Sequence, residues 1–273
     1  HSARDVYRYL HRAEILIEAK PIAVGVRLEH PQSLIDEIRY HSPEGRGKYL
    51  PAAEYVYKAQ AEGRGVYSFC MCPGGFVVPA STGPEETVVN GMSPANRGSR
   101  WANSGLVVEL HPEDITATGI KVEDPTSPLA LMQWCEAFEH KSYLAANRSL
   151  RAPAQRMTDF VARRHSSTLP SSSYTMGLTS SDLHEWMPDF ITRRLSAGFR
   201  AFDRTTRGFL TGEAQLIGVE SRTSSPVRIP RDRMTYAHPV VAGLYPAGEG
   251  AGFAGGIVSA AIDGEDAAQQ IAL

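Results

Sequence analysis

The chain has few cysteines, no long apolar run and almost no net charge. Three cysteines in 273 residues, Cys70, Cys72 and Cys135, cannot build a disulfide framework. The odd count points to a reducing compartment, with the cytoplasm as the expectation. No segment approaches the ~20 apolar residues that span a bilayer, and the opening residues lack a charged stretch followed by an apolar core. Neither a membrane partner nor secretion is expected. Acidic and basic residues number 30 and 28 and nearly cancel, which argues against a nucleic-acid surface built on excess charge. No internal repeat of 20–50 residues is present, and the G-x-S-x-G elbow of serine hydrolases is missing. Glycine (24) and proline (18) are dispersed, so neither collagen nor a low-complexity tail fits. What remains, 42% hydrophobic and 21% charged, is a globular chain of one large or two medium domains. Nothing in it sets an oligomeric state.

The hydrophobic spacing alternates between strand and helix periods. Val6, Leu10 and Ala13 predict a helix over 3–13, with Ser2 as its N-cap. Ile22, Val24, Val26 and Leu28 alternate as in a half-buried strand over 22–28. The runs 65–70 and 76–78 flank Pro73-Gly74-Gly75 and predict a hairpin or a sharp corner. Further strands are expected at 86–90 and 104–110, and helices after Pro128 and after Pro153. The strongest helical signal covers 181–203, kinked or divided at Pro188. Residues 169–174 read as an exposed loop. Asn90 to Ser93, Asn96-Arg97 and Asn103-Ser104 read as polar loops, which occur beside active sites and equally in any turn. Residues 214–220 and 226–230 look extended. A closing helix from Gly256, rich in small residues, is expected to pack on a sheet.

The most informative stretch runs from Gly248 to Gly256. Gly250, Gly252 and Gly255 have G-x-G-x-x-G spacing between a predicted strand and a predicted helix. Glycines let backbone approach a ligand closely, and a helix start offers unpaired N–H groups to an anion. The same glycines would also serve tight strand–helix packing. A standard dinucleotide fold is disfavoured, because only 18 residues follow Gly255, too few for the next strand and its ribose-binding acid. No Lys-Ser/Thr follows to make a phosphate loop. The better match is a late segment of a flavoprotein, which presents an acidic residue to the ribityl hydroxyls and a helix start to the flavin and pyrophosphate.

Two other groups carry candidate chemistry. Cys70 and Cys72 precede Pro73-Gly74-Gly75. They supply two ligands where zinc takes about four, and no metal is expected. Buried thiols at a tight turn and a redox pair both remain open. From Glu220 to Arg228, two guanidiniums and several hydroxyls suit a carboxylate or phosphate, or alternatively a solvated turn. Arg222, Ser224 and Arg228 are the preferred anion-binding residues. His30, alone at a strand end, reads as structural.

Four stretches taken with the glycine cluster carry a family resemblance: His1 to Asp5, Lys20 to Pro31, Val66 to Gly75, and Val219 to Arg228. In that order they resemble the C-terminal two-thirds of the uncharacterised FAD-dependent dehydrogenases, within the NAD(P)/FAD-dependent oxidoreductases. The family's N-terminal glycine fingerprint is absent, and the chain, opening on His1 without a lead-in, reads as the interior of a longer polypeptide. The resemblance implies an α/β fold, with 1–20 and 215–273 as parts of a two-dinucleotide-type FAD-binding domain. It makes 21–214 an inserted substrate domain of mixed strands and helices. FAD is the implied cofactor, held at Gly248, Glu249, Gly250, Gly252, Gly255, Gly256 and Ile257. Its partner would be the missing N-terminal FAD-binding segment, and its substrate an unidentified small molecule passing hydride to or from the flavin. Cys70, Cys72 and Arg222 are the implied catalytic candidates, with the Cys70 corner on the substrate side. The rival expectation is a non-catalytic nucleotide- or anion-binding module built on the same glycine loop.

Overall fold

The computed structural model describes residues 1–271. Helix α1 (Arg4–Arg12) leads to the short strand β1 (Glu18–Ala19), the long strand β2 (Ile22–Pro31) and helix α2 (Gln32–Tyr40). Strands β3 (Lys58–Ala61), β4 (Arg64–Cys72), β5 (Phe76–Pro79), β6 (Val89–Met92) and β7 (Trp101–Leu110) follow. Then come α3 (Ile115–Thr118), α4 (Ala130–Ala145), β8 (Ala152–Arg156), α5 (Met157–Val161), β9 (Leu178–Ser180), α6 (Leu183–Trp186) and α7 (Asp189–Thr205). Strands β10 (Gln215–Glu220) and β11 (Val227–Arg228) precede the last helix, α8 (Ile257–Ile271). The chain divides into two units. Unit 1 comprises residues 1–23, 110–136 and those from Arg222 on, and unit 2 comprises 24–109 and 137–221.

Unit 2 is built on a seven-stranded mixed sheet in the order β3-β4-β7-β2-β10-β8-β9, in which β8 and β9 run parallel. The central β2 differs from the half-buried strand expected, since nine of its ten positions are buried. Its apolar residues fill the core as predicted, but the intervening Arg27, Glu29 and His30 are also at most 1% exposed. They tolerate burial because each has partners, which is the condition on which buried polar groups persist. Helix α7 lies on β3 and β4, with Gly198 so close to Val66 that an added Cβ would stand 2.6 Å from its Cγ1. Rings of Tyr57, Phe202 and Phe209 stack beside it, with centroids 4.8–6.0 Å apart. Pro188 divides the strong helical signal into α6 and α7, as its missing N–H requires.

The Pro73-Gly74-Gly75 punctuation makes a corner and not a hairpin. β4 pairs with β3 and β7, whereas β5 pairs with β6. Val77 and Val89 of that second pair bury themselves against Ala152, Ala154 and Ile217. Asn103 and Ser104, expected in a loop, are buried within β7. Asn90 and Gly91 lie in β6. The 169–174 segment is only partly exposed, since Ser173 is pinned by Glu29 and Tyr174 packs in the core.

Unit 1 gathers Tyr7, Ile17, Leu129, Met132 and Val227 into its own core. β1 and β11 pair antiparallel, with Ala19 opposite Val227. Ala3, not Ser2, occupies the N-cap of α1. The Ser2 hydroxyl instead accepts a hydrogen bond from Arg222. Helix α8 departs most from expectation. Ala267 is its one buried residue among those described, and Ile257, Val258 and Ile262 are largely exposed, so its small-residue face does not pack on a sheet.

Candidate functional site

In unit 1 the site is the turn between β11 and α8. Its backbone is fixed by hydrogen bonds from Gly252 N to Glu249 O (2.9 Å), Phe253 N to Gly248 O (3.1 Å) and Ile229 N to Ala251 O (3.1 Å). The Tyr7 hydroxyl donates to Gly250 O at 2.9 Å. Asp263 on α8 accepts from Gly248 N at 2.7 Å and pairs with Arg231, which lies over the Phe253 ring. That pairing with Arg231 holds the Asp263 carboxyl below the usual range.

The glycines of this turn fall into two classes. Gly252 has φ +85°, and a Cβ there would stand 2.9 Å from Val227 O and 3.1 Å from Lys20 Cδ, so the turn itself requires it. At Gly250 and Gly255 an added Cβ would meet nothing within 4 Å. Tight internal packing therefore does not explain those two. Beyond them Ile257 is 92% exposed at the start of α8, a 15-residue helix whose first N–H groups carry the positive end of the dipole.

Charged groups surround the turn. Glu249 Oε1 is buried with no hydrogen-bond partner. Lys20 Nζ reaches Ser224 Oγ at 3.5 Å. Burial, reinforced by the neighbouring Arg228 cation, lowers the Lys20 pKa. An anion bound there would relieve that repulsion. Of the residues named from sequence, Ser224, Arg228 and Gly248 to Ile257 thus share unit 1. Arg222 lies there too, 5% exposed, so it does not meet solvent as Arg228 does.

Cys70 and Cys72 lie in unit 2, in a constellation that sequence reading missed. Arg27, fully buried, donates from Nε to Asn103 Oδ1 (2.8 Å), from Nη1 to both oxygens of Glu220 (3.1 and 3.3 Å) and from Nη2 to Cys70 O (2.6 Å). Nη2 also stands 3.2 Å from Cys72 Sγ. Burial is the largest influence and opposes the Arg27 charge, but Glu220, Cys72 and Cys70 together outweigh it and raise the guanidinium pKa. Burial pushes the Glu220 carboxyl up, against the pull of Arg27. A hydrogen bond from Cys72, aided by the Arg27 charge, brings the Cys70 thiol down to about 6, and the same bond together with burial pushes Cys72 up. Among the described residues, no group of three or more His, Cys, Asp or Glu is placed to hold a metal.

A second feature of unit 2 that the sequence did not flag is a cleft of about 360 Å³ lined by Glu29, Trp101, Arg156 and Gln215. Glu29 accepts from Ser173 N at 3.0 Å, from the Ser173 hydroxyl and from Gln215 Nε2 at 3.1 Å. Among the described residues, no helix is long and apolar enough to cross a membrane.

The chain is thus a mixed α/β protein with an open glycine turn in unit 1 and, in unit 2, a buried Arg27–Glu220 pair beside Cys72. The family comparison makes the class specific. The chain belongs to the family described as FAD-dependent protein, C-terminal domain-like, whose model matches residues 21–223. It is also 42% identical over 275 residues to an uncharacterised protein of Clostridium beijerinckii. That alignment covers 99% of this chain and 50% of the relative, so the chain spans about half the length of the protein it matches.

Proposed function

We propose that this chain is the part of a flavoprotein oxidoreductase that closes around FAD, and that the intact protein passes hydride between a small-molecule substrate and the flavin. In this reading unit 1 belongs to the FAD-binding domain and unit 2 to the substrate domain, so 110–136 join the former and 215–221 the latter, against the sequence-based boundaries of 1–20, 21–214 and 215–273. The observation that carries it is the open space at Gly250 and Gly255, in a turn otherwise held rigid by its own hydrogen bonds. Free space beside glycines that lead into a helix start is what the close approach of an anionic ligand requires.

The residues present fit one half of the cofactor. Glu249 Oε1, an acceptor without a partner, takes hydrogen bonds from ribityl hydroxyls. The first N–H groups of α8 would meet an anionic group of the cofactor, and Lys20 and Arg228 would add positive charge. The exposed Ile257, Val258 and Ile262 are covered by the remainder of the FAD-binding domain, on polypeptide of the kind that makes up the other half of the longer relative. When bound, FAD supplies the redox chemistry, and the protein supplies orientation and electrostatics.

The Lys20–Arg228 pair favours one other reading, a non-catalytic module that holds a phosphate or nucleotide. Purifying the intact protein and measuring flavin absorbance after removal of free ligand separates the two. Bound FAD at near one equivalent is expected. A colourless protein that binds pyrophosphate would overturn the flavoprotein reading in favour of the module.

A further inference from the structure

Two residues two positions apart in an extended strand sit about 6.6 Å from each other, at the outer limit of the roughly 4.4–6.8 Å Cα separation a disulfide spans. A bulge in β4 alters this at the cysteines. Between Phe69 and Cys72 the strand advances three residues while β7 moves only from Gly105 to Asn103. Cys70 takes up the extra residue with a left-handed φ of +47°, an uncommon conformation for a non-glycine residue. The bulge puts Cys70 in solvent and leaves Cys72 5% exposed. Across the bulge Cys72 Sγ donates to the Cys70 backbone carbonyl at 3.5 Å.

The surroundings are built for this pair. Arg27 holds the Cys70 carbonyl and faces Cys72 Sγ with one nitrogen, while Glu220 and Asn103 fix the guanidinium from the other side. Side chains are kept out of the way. A Cβ on Gly91 would stand 1.9 Å from Arg27 Nη2, and one on Gly75 2.9 Å from Cys72 Cβ. A buried cation beside one thiol, a second thiol exposed to solvent and a hydrogen bond from the buried thiol to the carbonyl of the exposed residue differ from the inert, buried cysteine of an ordinary core.

We propose that Cys70 and Cys72 are a redox-active dithiol that exchanges electrons with a disulfide substrate, Cys70 being the attacking sulfur and Cys72 the resolving one. The Cys70 thiolate attacks one sulfur of the disulfide RS–SR′, forming a mixed disulfide and releasing R′S⁻. Cys72 gives its proton to R′S⁻, and its sulfur attacks Cys70. That second attack forms the Cys70–Cys72 disulfide, breaks the mixed bond and releases RS⁻. Two electrons pass from the dithiol to RS–SR′, which is reduced to R′SH and RS⁻. This chemistry goes beyond the flavin assignment and stands whether or not unit 1 holds FAD.

The test equilibrates the intact protein with glutathione buffers of graded oxidised-to-reduced ratio, alkylates remaining thiols and reads masses of the peptide carrying both cysteines. The expected wild-type result is a single two-electron transition to a peptide lighter by two hydrogens, with Cys135 alkylated throughout on denaturation. Cys72→Ser should instead accumulate one glutathione on Cys70, and Cys70→Ser should do neither. Alkylation of Cys70 in the reduced protein should follow an inflection near pH 6. The proposal is overturned if wild-type Cys70 and Cys72 stay alkylatable in the most oxidising buffer. Separate glutathione adducts without the internal disulfide would overturn it equally. Both readouts use wild-type protein, so misfolding of a variant does not blunt the test.

Discussion

Gly250 and Gly252 stand two residues apart in one turn and are bare for different reasons. Gly252 has φ +85° and touches Val227 O, so Gly252→Ala should destabilise unit 1 by about 1–3 kcal/mol. Gly250→Ala, with free space around it, should leave stability within about 0.5 kcal/mol. Denaturant titration of both variants checks the contrast. The residue that follows from spacing alone as a probe of cofactor binding, Gly252, is thus the wrong one, because its replacement disturbs the fold as well. At Arg27, Arg27→Met leaves the Glu220 carboxylate buried without its partner and should cost about 3–5 kcal/mol by the same measurement. His30 sets a pH dependence. Its Nε2 donates to Phe209 O at 2.9 Å, and burial lowers its pKa from 6.5 to about 4. Above pH 6.5 neither the folded nor the unfolded state is protonated there, and the full stability is present. As pH falls from 6.5 to 4 the unfolded state takes up the proton first, so stability drops by something on the order of 3 kcal/mol and then levels off. Stability measured across that range should fall with acid, and His30→Gln should flatten the slope. The Arg27–Glu220 pairing at the centre of the cysteine cluster was not legible beforehand. Arg27 and Glu220 are 193 residues apart, and only the sheet order makes them neighbours, whereas the glycine turn and the cysteine pair are each local in sequence and could be read directly.

Elements with a strong internal period were legible, and those defined by their neighbours were not. The α6–α7 break follows from Pro188, whereas α1 is a helix as expected but buries Arg4 and Tyr7, with Val6 of the expected apolar face 45% exposed. Strand β2 was placed but its burial was misjudged. Alternation signals one wet face only when the sheet is covered on one side, and here the polar face is buried against partners from β7 and β10 and from the loop at Ser173. Leu28→Ala in this central strand should cost about 2–5 kcal/mol, read as a lowered denaturation midpoint. The corner after Cys72 was legible as punctuation, but which strand would take β5 as partner was not. Helix α8 was recognised by its small residues, yet exposure of Ile257, Val258 and Ile262 depends on what else packs there. Amide hydrogen exchange on the 273-residue chain should find α8 far less protected than β2 and β10. Protection of α8 equal to that of the central strands would show that its exposed apolar face needs no further covering.

For the molecule as a whole, membership of a FAD-dependent family and a relative twice as long set the frame, and the glycine turn is where we propose its site. A flavin held partly by this chain would account for several features together: bare glycines with room around them, an acceptor oxygen on Glu249 without a donor, and the neighbouring cations Lys20 and Arg228. The composition spoke only to what the molecule is not, because charge balance and cysteine count carry no information about a cofactor. The most direct measurement is the affinity of the intact protein for FAD, titrated with wild type and with Gly250→Val/Gly255→Val after the bound flavin has been stripped. Binding by the wild type, weakened at least tenfold in the variant while its denaturation midpoint stays unchanged, is the predicted result. Equal affinities in two equally stable proteins would contradict the assignment of this turn to the flavin.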